Sequence, residues 1–96
     1  MPGERVNTKS FTALMERLAA TPEGQAEQVA VEFLAQVNAR MGALGMDNKA
    51  LAHRMGTTPA YVTRLFRGSD PLSVKAMTRL AHAVDSTVKV EVRASV

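Results

Sequence analysis

The chain has 96 residues, no cysteine, a hydrophobic content of 46% and a formal net charge of +3. That is enough chain for one domain with one modest core. It excludes disulfides and thiolate metal sites and fits a reducing cytosol, so a cytoplasmic protein is expected. No apolar run reaches the roughly 18 residues of a membrane span, and the opening MPGERVNTKS lacks the apolar stretch of a signal peptide.

Aromatic residues make up only 4% of the chain and Trp is absent, so the core must be built from Leu, Val, Ala and Met. Residues 1–9 carry Pro2, Gly3 and scattered charge without periodicity and read as a flexible tail. From Ser10 the spacing of Phe11, Leu14, Met15 and Leu18 predicts a short amphipathic helix over 10–20, stopped ahead of Pro22. Thr21, Pro22 and Glu23 restart a helix as N-cap, first-turn proline and acid at the positive end of the dipole. Ala26, Val29, Ala30, Phe33, Leu34, Val37, Met41 and Leu44 extend one apolar stripe to a stop at Gly45, with Gly24 weakening the first turn.

The stretch Asn48–Gly68, NKALAHRMGTTPAYVTRLFRG, predicts two short helices around a glycine turn. Asp47 caps the first, which turns Leu51, Ala52 and Met55 inward. Gly56 is placed where a helix C-terminus needs positive φ. Thr58 caps the second helix, with Pro59 at its first position, where the missing N–H costs nothing. Val62, Leu65 and Phe66 face inward, leaving Ala60, Thr63, Arg64 and Arg67 on the outer face at i, i+3, i+4 and i+7. A face that is small, hydroxylated and cationic suits a DNA major groove, so the stretch reads as a helix-turn-helix. Beyond the turn formers Asp70 and Pro71, Ser73 caps a fifth helix whose Val74, Met77, Leu80, Ala81 and Val84 face inward.

The last segment, VKVEVR, alternates strictly and predicts a half-buried strand over 87–93. A single strand leaves its ladder groups unpaired, so the economical partner is the same strand of a second copy. Centring that antiparallel pair on Val90 opposes Lys89 to Glu91 and Val88 to Val92, joining opposite charges and apolar side chains. The expected fold is therefore all-α, five helices plus a C-terminal β-strand that pairs across a homodimer. After the tail, residues 10–96 form a single domain: N-terminal helices 10–44, helix-turn-helix 47–68, fifth helix 73–84 and dimerisation strand 87–93.

Charge is divided unevenly. Residues 1–45 hold four Lys/Arg against five Asp/Glu, a balance of −1, and residues 46–96 hold eight against four, a balance of +4. The basic surplus lies in the half with the helix-turn-helix, as an approach to phosphates requires. Arg64 is the leading candidate for base contact, since arginine pairs bidentately with guanine O6 and N7; a phosphate contact is its alternative. Thr63 and Ala60 could each meet a thymine methyl or simply fill space. Asn48, Lys49, Thr58, Arg67, Ser69 and Lys75 are phosphate candidates, Asn48 and Thr58 because helix N-termini favour anions. Tyr61 either hydrogen-bonds phosphate or packs. His53 and His82 stand on different helices without a metal-ligand or nucleophile context, so no catalysis, metal or cofactor is expected.

Leu51, Ala52, Gly56, Val62 and Leu65 together resemble the helix-turn-helix of the Cro/CI repressor superfamily, the XRE family. SVKAMTRLAHAV (Ser73–Val84) resembles the helix that follows the turn in that family. Thr57 stands where the family usually has an apolar residue, and Pro59-Ala60 where well-known members place base-reading amides. The N-terminal helical extension resembles that of HigA-type antitoxins. The resemblance implies a sequence-specific, dimeric repressor on a palindromic operator. Its alternative is the antitoxin of a toxin–antitoxin pair, with a toxin protein as partner and its own operon as target.

Overall fold

The computed structural model describes residues 8–95. It holds five helices: α1 Thr8–Ala19, α2 Pro22–Leu44, α3 Asn48–Met55, α4 Pro59–Arg67 and α5 Val74–Ala83. The chain divides into two compact units, Met1–Phe33 and Leu34–Val96, the division falling within α2.

In the C-terminal unit the helices begin and end where local chemistry dictates. Asp47 Oδ1 accepts from Ala50 N at 2.8 Å, Thr58 Oγ1 from Tyr61 N at 3.2 Å, and Ser73 Oγ from Ala76 N at 3.0 Å. Each side chain thereby satisfies one N–H that an α-helix leaves orphaned. Gly56 closes α3 at φ 68°, where a Cβ would be strained. There the Thr57 N–H reaches back to the Ala52 carbonyl at 2.9 Å.

The core of this unit lies where α3 packs on α4 and α5, joined by the end of α2. Leu51, Val62, Leu65, Leu80 and Val84 are fully buried, with Val37 and Met41 beneath them from α2. Each such side chain contributes about 1.5–3 kcal/mol of apolar burial. Ala52 is buried as well, on the inner face of α3.

Three arginines tie these helices together through main-chain oxygens. Arg79 Nη2 donates to the carbonyl of Met55, the last residue of α3, at 2.8 Å. Arg54 Nη1 donates to the Ala83 carbonyl at 3.0 Å, and Arg40 Nη2 to the Val84 carbonyl at 3.2 Å. All three acceptors lie at helix C-termini, where carbonyls lack intrahelical partners and the dipole favours a cation.

In the N-terminal unit, Thr8 and Lys9 belong to α1; the rest of the tail expected over 1–9 lies outside the described residues. Thr21 Oγ1 accepts from Gly24 N at 3.0 Å and starts α2. Gly24 is buried, and a Cβ there would overlap the Leu18 carbonyl, so the glycine permits a close backbone approach between α1 and α2. Phe11, Leu14 and Val29 remain exposed.

The expected C-terminal strand is not formed: among the described residues no strand exists, and residues 87–95 carry no regular structure. Strict alternation specifies two faces, but a strand also needs a ladder, and no extended segment among the described residues lies beside this one. Val90 is 74% and Val92 94% exposed, with Val88 half-buried. Glu91 pairs within its own segment, its Oε1 3.0 Å from Arg93 Nη2. The dimer ribbon expected of Val88, Lys89, Val90, Glu91 and Val92, with its Val90-centred register, rested on that strand, and such pairing is not shown.

Candidate nucleic-acid interface

The second helix of the helix-turn-helix is α4. Val62 and Leu65 anchor its inner side in the core and Phe66 is half-buried beside them. On the opposite side Ala60, Arg64 and Arg67 are exposed and Thr63 is half-buried. The nine residues of α4 extend about 13 Å, and a helix about 10–12 Å in diameter fits a B-DNA major groove about 12 Å wide.

Arg64 is held on two sides. Its Nε lies 3.2 Å from Asp70 Oδ2, and its guanidinium carbon lies 5.8 Å from the centroid of the Tyr61 ring. Tyr61, assigned from sequence to phosphate or to packing, is half-buried with its ring facing Arg64. Asp70, a turn former by sequence, also forms an ion pair with Arg64. The six-residue separation across a helix end carries no local signal for it.

The phosphate candidates fall into two groups. At the entrance to the motif, Asn48 and Lys49 are exposed in the first turn of α3 and Thr58 is exposed at the start of α4. A shallow groove of about 580 Å³ runs between these helix starts, lined by Asp47, Lys49, His53, Thr57 and Pro59 among others. Asp47 already places a carboxylate at the N-terminus of α3, so the dipole there faces an acid. Thr58 keeps its hydroxyl proton free to donate while its oxygen caps α4. Past the end of α4, Arg67 and Ser69 are exposed, and Ser69 is held in place by its N–H on the Arg64 carbonyl at 2.9 Å. Lys75 is exposed in the first turn of α5.

The basic surplus of the second half is thus not a uniform surface field. Arg54 and Arg79 grip helix carbonyls, Arg54 with Asp85 at 3.4 Å besides, and Arg93 pairs with Glu91. Lys49, Arg67 and Lys75 form no ion pair among the described residues and remain open to an anionic partner.

Two capped helices joined by a left-handed glycine, with the second presenting arginines outward from a packed inner face, define a DNA-binding helix-turn-helix domain. A helix-turn-helix family model matches residues 38–89, and the chain belongs to that family, the XRE-type proteins of the Cro/CI superfamily. The domain is that of a DNA-binding transcriptional regulator. No curated protein and no solved structure matches the chain. Among the described residues no helix is long and apolar enough to cross a membrane.

Proposed function

We propose that the chain is a dimeric repressor that recognises a palindromic operator, one α4 helix in the major groove of each half-site. The observation that carries this reading is the outer face of α4, which carries Ala60, Thr63 and Arg64 with Arg67 at its end. Thymine methyls suit Ala60 and Thr63, and guanine suits Arg64. Asn48, Lys49 and Thr58 on one side, and Tyr61, Ser69 and Lys75 on the other, serve as phosphate contacts that fix the register of α4 on the duplex.

Dimerisation follows from how little one short helix can read. A helix about 13 Å long spans about four base pairs at 3.4 Å each, a word that recurs far too often in a genome to mark one promoter. Two copies related by a two-fold axis double the word, place the half-sites about 34 Å apart and make the site palindromic. Occupancy of such a site blocks polymerase sterically.

Selection of bound duplexes from a randomised pool tests the reading. The expected product is an inverted repeat with half-site centres one helical turn apart. A single unrepeated half-site would overturn the dimer, and absence of any enriched sequence would overturn specific recognition.

A second reading has its own support. Phe11, Leu14 and Val29 leave an apolar surface on the N-terminal unit, outside the matched residues 38–89. An antitoxin that covers a small toxin needs such a surface. Co-expression with an adjacent reading frame, if one encodes a basic protein of small size, tests this: a stable complex supports it, and two separate proteins refute it.

A further inference from the structure

We propose that Asp70 sets base specificity by positioning Arg64 for guanine; the inference rests on α4 being the reading helix. A guanidinium can offer a pair of parallel N–H bonds in two ways, along its side through Nε and one Nη, or end-on through both Nη atoms. Asp70 Oδ2 occupies Nε at 3.2 Å, which removes the side-on pair and leaves the end-on pair of the two Nη groups. The Tyr61 ring, 5.8 Å from the guanidinium carbon, restrains the plane from a second direction. What remains is an oriented two-donor fork, and guanine O6 and N7 are the base edge that accepts one.

Asp70 is itself fixed rather than merely adjacent. The Ser69 N–H bonds the Arg64 carbonyl at 2.9 Å, closing α4 after Gly68, and Pro71 follows at once. The carboxylate is therefore presented from a pinned backbone to a side chain six residues earlier. As a source of stability the pair is weak, because Arg64 is 50% and Asp70 29% exposed and water screens the attraction. Its consequence lies in recognition. Confining a long side chain before binding removes an ordering cost at the interface. A carboxylate beside the groove also disfavours indiscriminate attachment to phosphates. One acid therefore raises the yield from the right base and lowers affinity for every other sequence.

The experiment compares wild type, Asp70→Ala, Asp70→Asn, Arg64→Ala and the Arg64→Ala/Asp70→Ala double variant. Each binds three duplexes: the selected operator, the operator with its Arg64-contacted guanine replaced, and random sequence. Asp70→Ala should lower the preference for guanine about five- to tenfold, within the range of one bidentate base contact, while affinity for random duplex rises. Asp70→Asn keeps an acceptor for Nε without the charge, so it should retain part of the guanine preference and show the same rise on random duplex. In the Arg64→Ala background, Asp70→Ala should leave the base preference unchanged.

Unchanged guanine preference in Asp70→Ala overturns the proposal. So does a loss that persists undiminished in the Arg64→Ala background, which would place Asp70 on a base directly. Tighter operator binding at constant base preference would show that Asp70 locks Arg64 away instead. Should Asp70→Ala melt early, Asp70→Asn decides alone, since it preserves the loop's polar contact. A selective wild type with an unaltered Asp70→Ala sinks only this inference; a wild type without base preference sinks the reading-helix assignment itself.

Discussion

The two units of this chain contain equally clear amphipathic helices and bury them to different depths. Among the described residues of 34–95, the largest fully buried side chains are Leu51, Leu65, Leu80, Val62 and Val84. Among the described residues of 8–33 only Gly24 is buried, and Phe11 is 52% exposed although it belongs to as regular an apolar stripe as any in the molecule. Periodicity makes a helix, but enclosure needs neighbours on several sides. α3 packs on both α4 and α5, and Val37 and Met41 near the end of α2 are buried in the same unit, whereas α1 meets the beginning of α2 at the close approach between Leu18 and Gly24.

That contrast can be broken by substitution. The largest effect is expected from Leu80→Ala, which opens a cavity at a fully buried site and should cost about 2–5 kcal/mol in denaturant unfolding. Phe11→Ala should cost under about 1 kcal/mol, as at other solvent-facing positions; equal losses would erase the distinction between the units. Ala52→Leu should overpack the crossing of α3 and α4 and lower stability by about 1–3 kcal/mol. A variant with an unaltered melting temperature would show that the helices do not cross tightly there.

Within the C-terminal unit the arginines sharpen the comparison further. Arg79→Ala removes a charged hydrogen bond to the Met55 carbonyl and should cost about 1–2 kcal/mol while leaving the salt dependence of DNA binding unchanged. Arg67→Ala should do the reverse: near-constant stability, and a log–log salt slope shallower by about one per half-site. An Arg79→Ala protein with a shallower slope would put that arginine on phosphate. Gly24→Ala should act within the N-terminal unit, because a Cβ there meets backbone rather than a yielding side chain. Its methyl would displace the Leu18 carbonyl and speed amide hydrogen exchange in α1, with operator affinity constant. A large loss of global stability would mean that the N-terminal unit supports the remainder of the fold.

What could be read in advance was what short-range chemistry decides. Asp47, Thr58 and Ser73 each bond an N–H three residues on, and Gly56 needs only its own φ, so sequence neighbours suffice to foresee them. The inward sets Leu51–Ala52–Met55 and Val62–Leu65 followed from helical period in the same way. The strand over 87–93 failed because its pattern was local and its requirement was not: a ladder needs a second segment. Gly24 looked like a weak first turn, since the carbonyl it accommodates belongs to another helix. The targets of Arg40 and Arg54 lie 44 and 29 residues away, beyond the reach of any spacing rule. For the interface, the outward placement of Ala60, Arg64 and Arg67 was legible, and the hold of Asp70 on Arg64 was not.

The arginine ties have a consequence for how this sequence can drift. Arg40, Arg54 and Arg79 grip the carbonyls of Val84, Ala83 and Met55, and a carbonyl is present whatever side chain the residue carries. Each link is therefore constrained at one end only. Lineages can exchange the acceptor residue for any that fits the core without losing the bond, while replacing the arginine loses it at once. Such links leave no paired substitutions behind them: the donors would stand invariant opposite positions that vary freely.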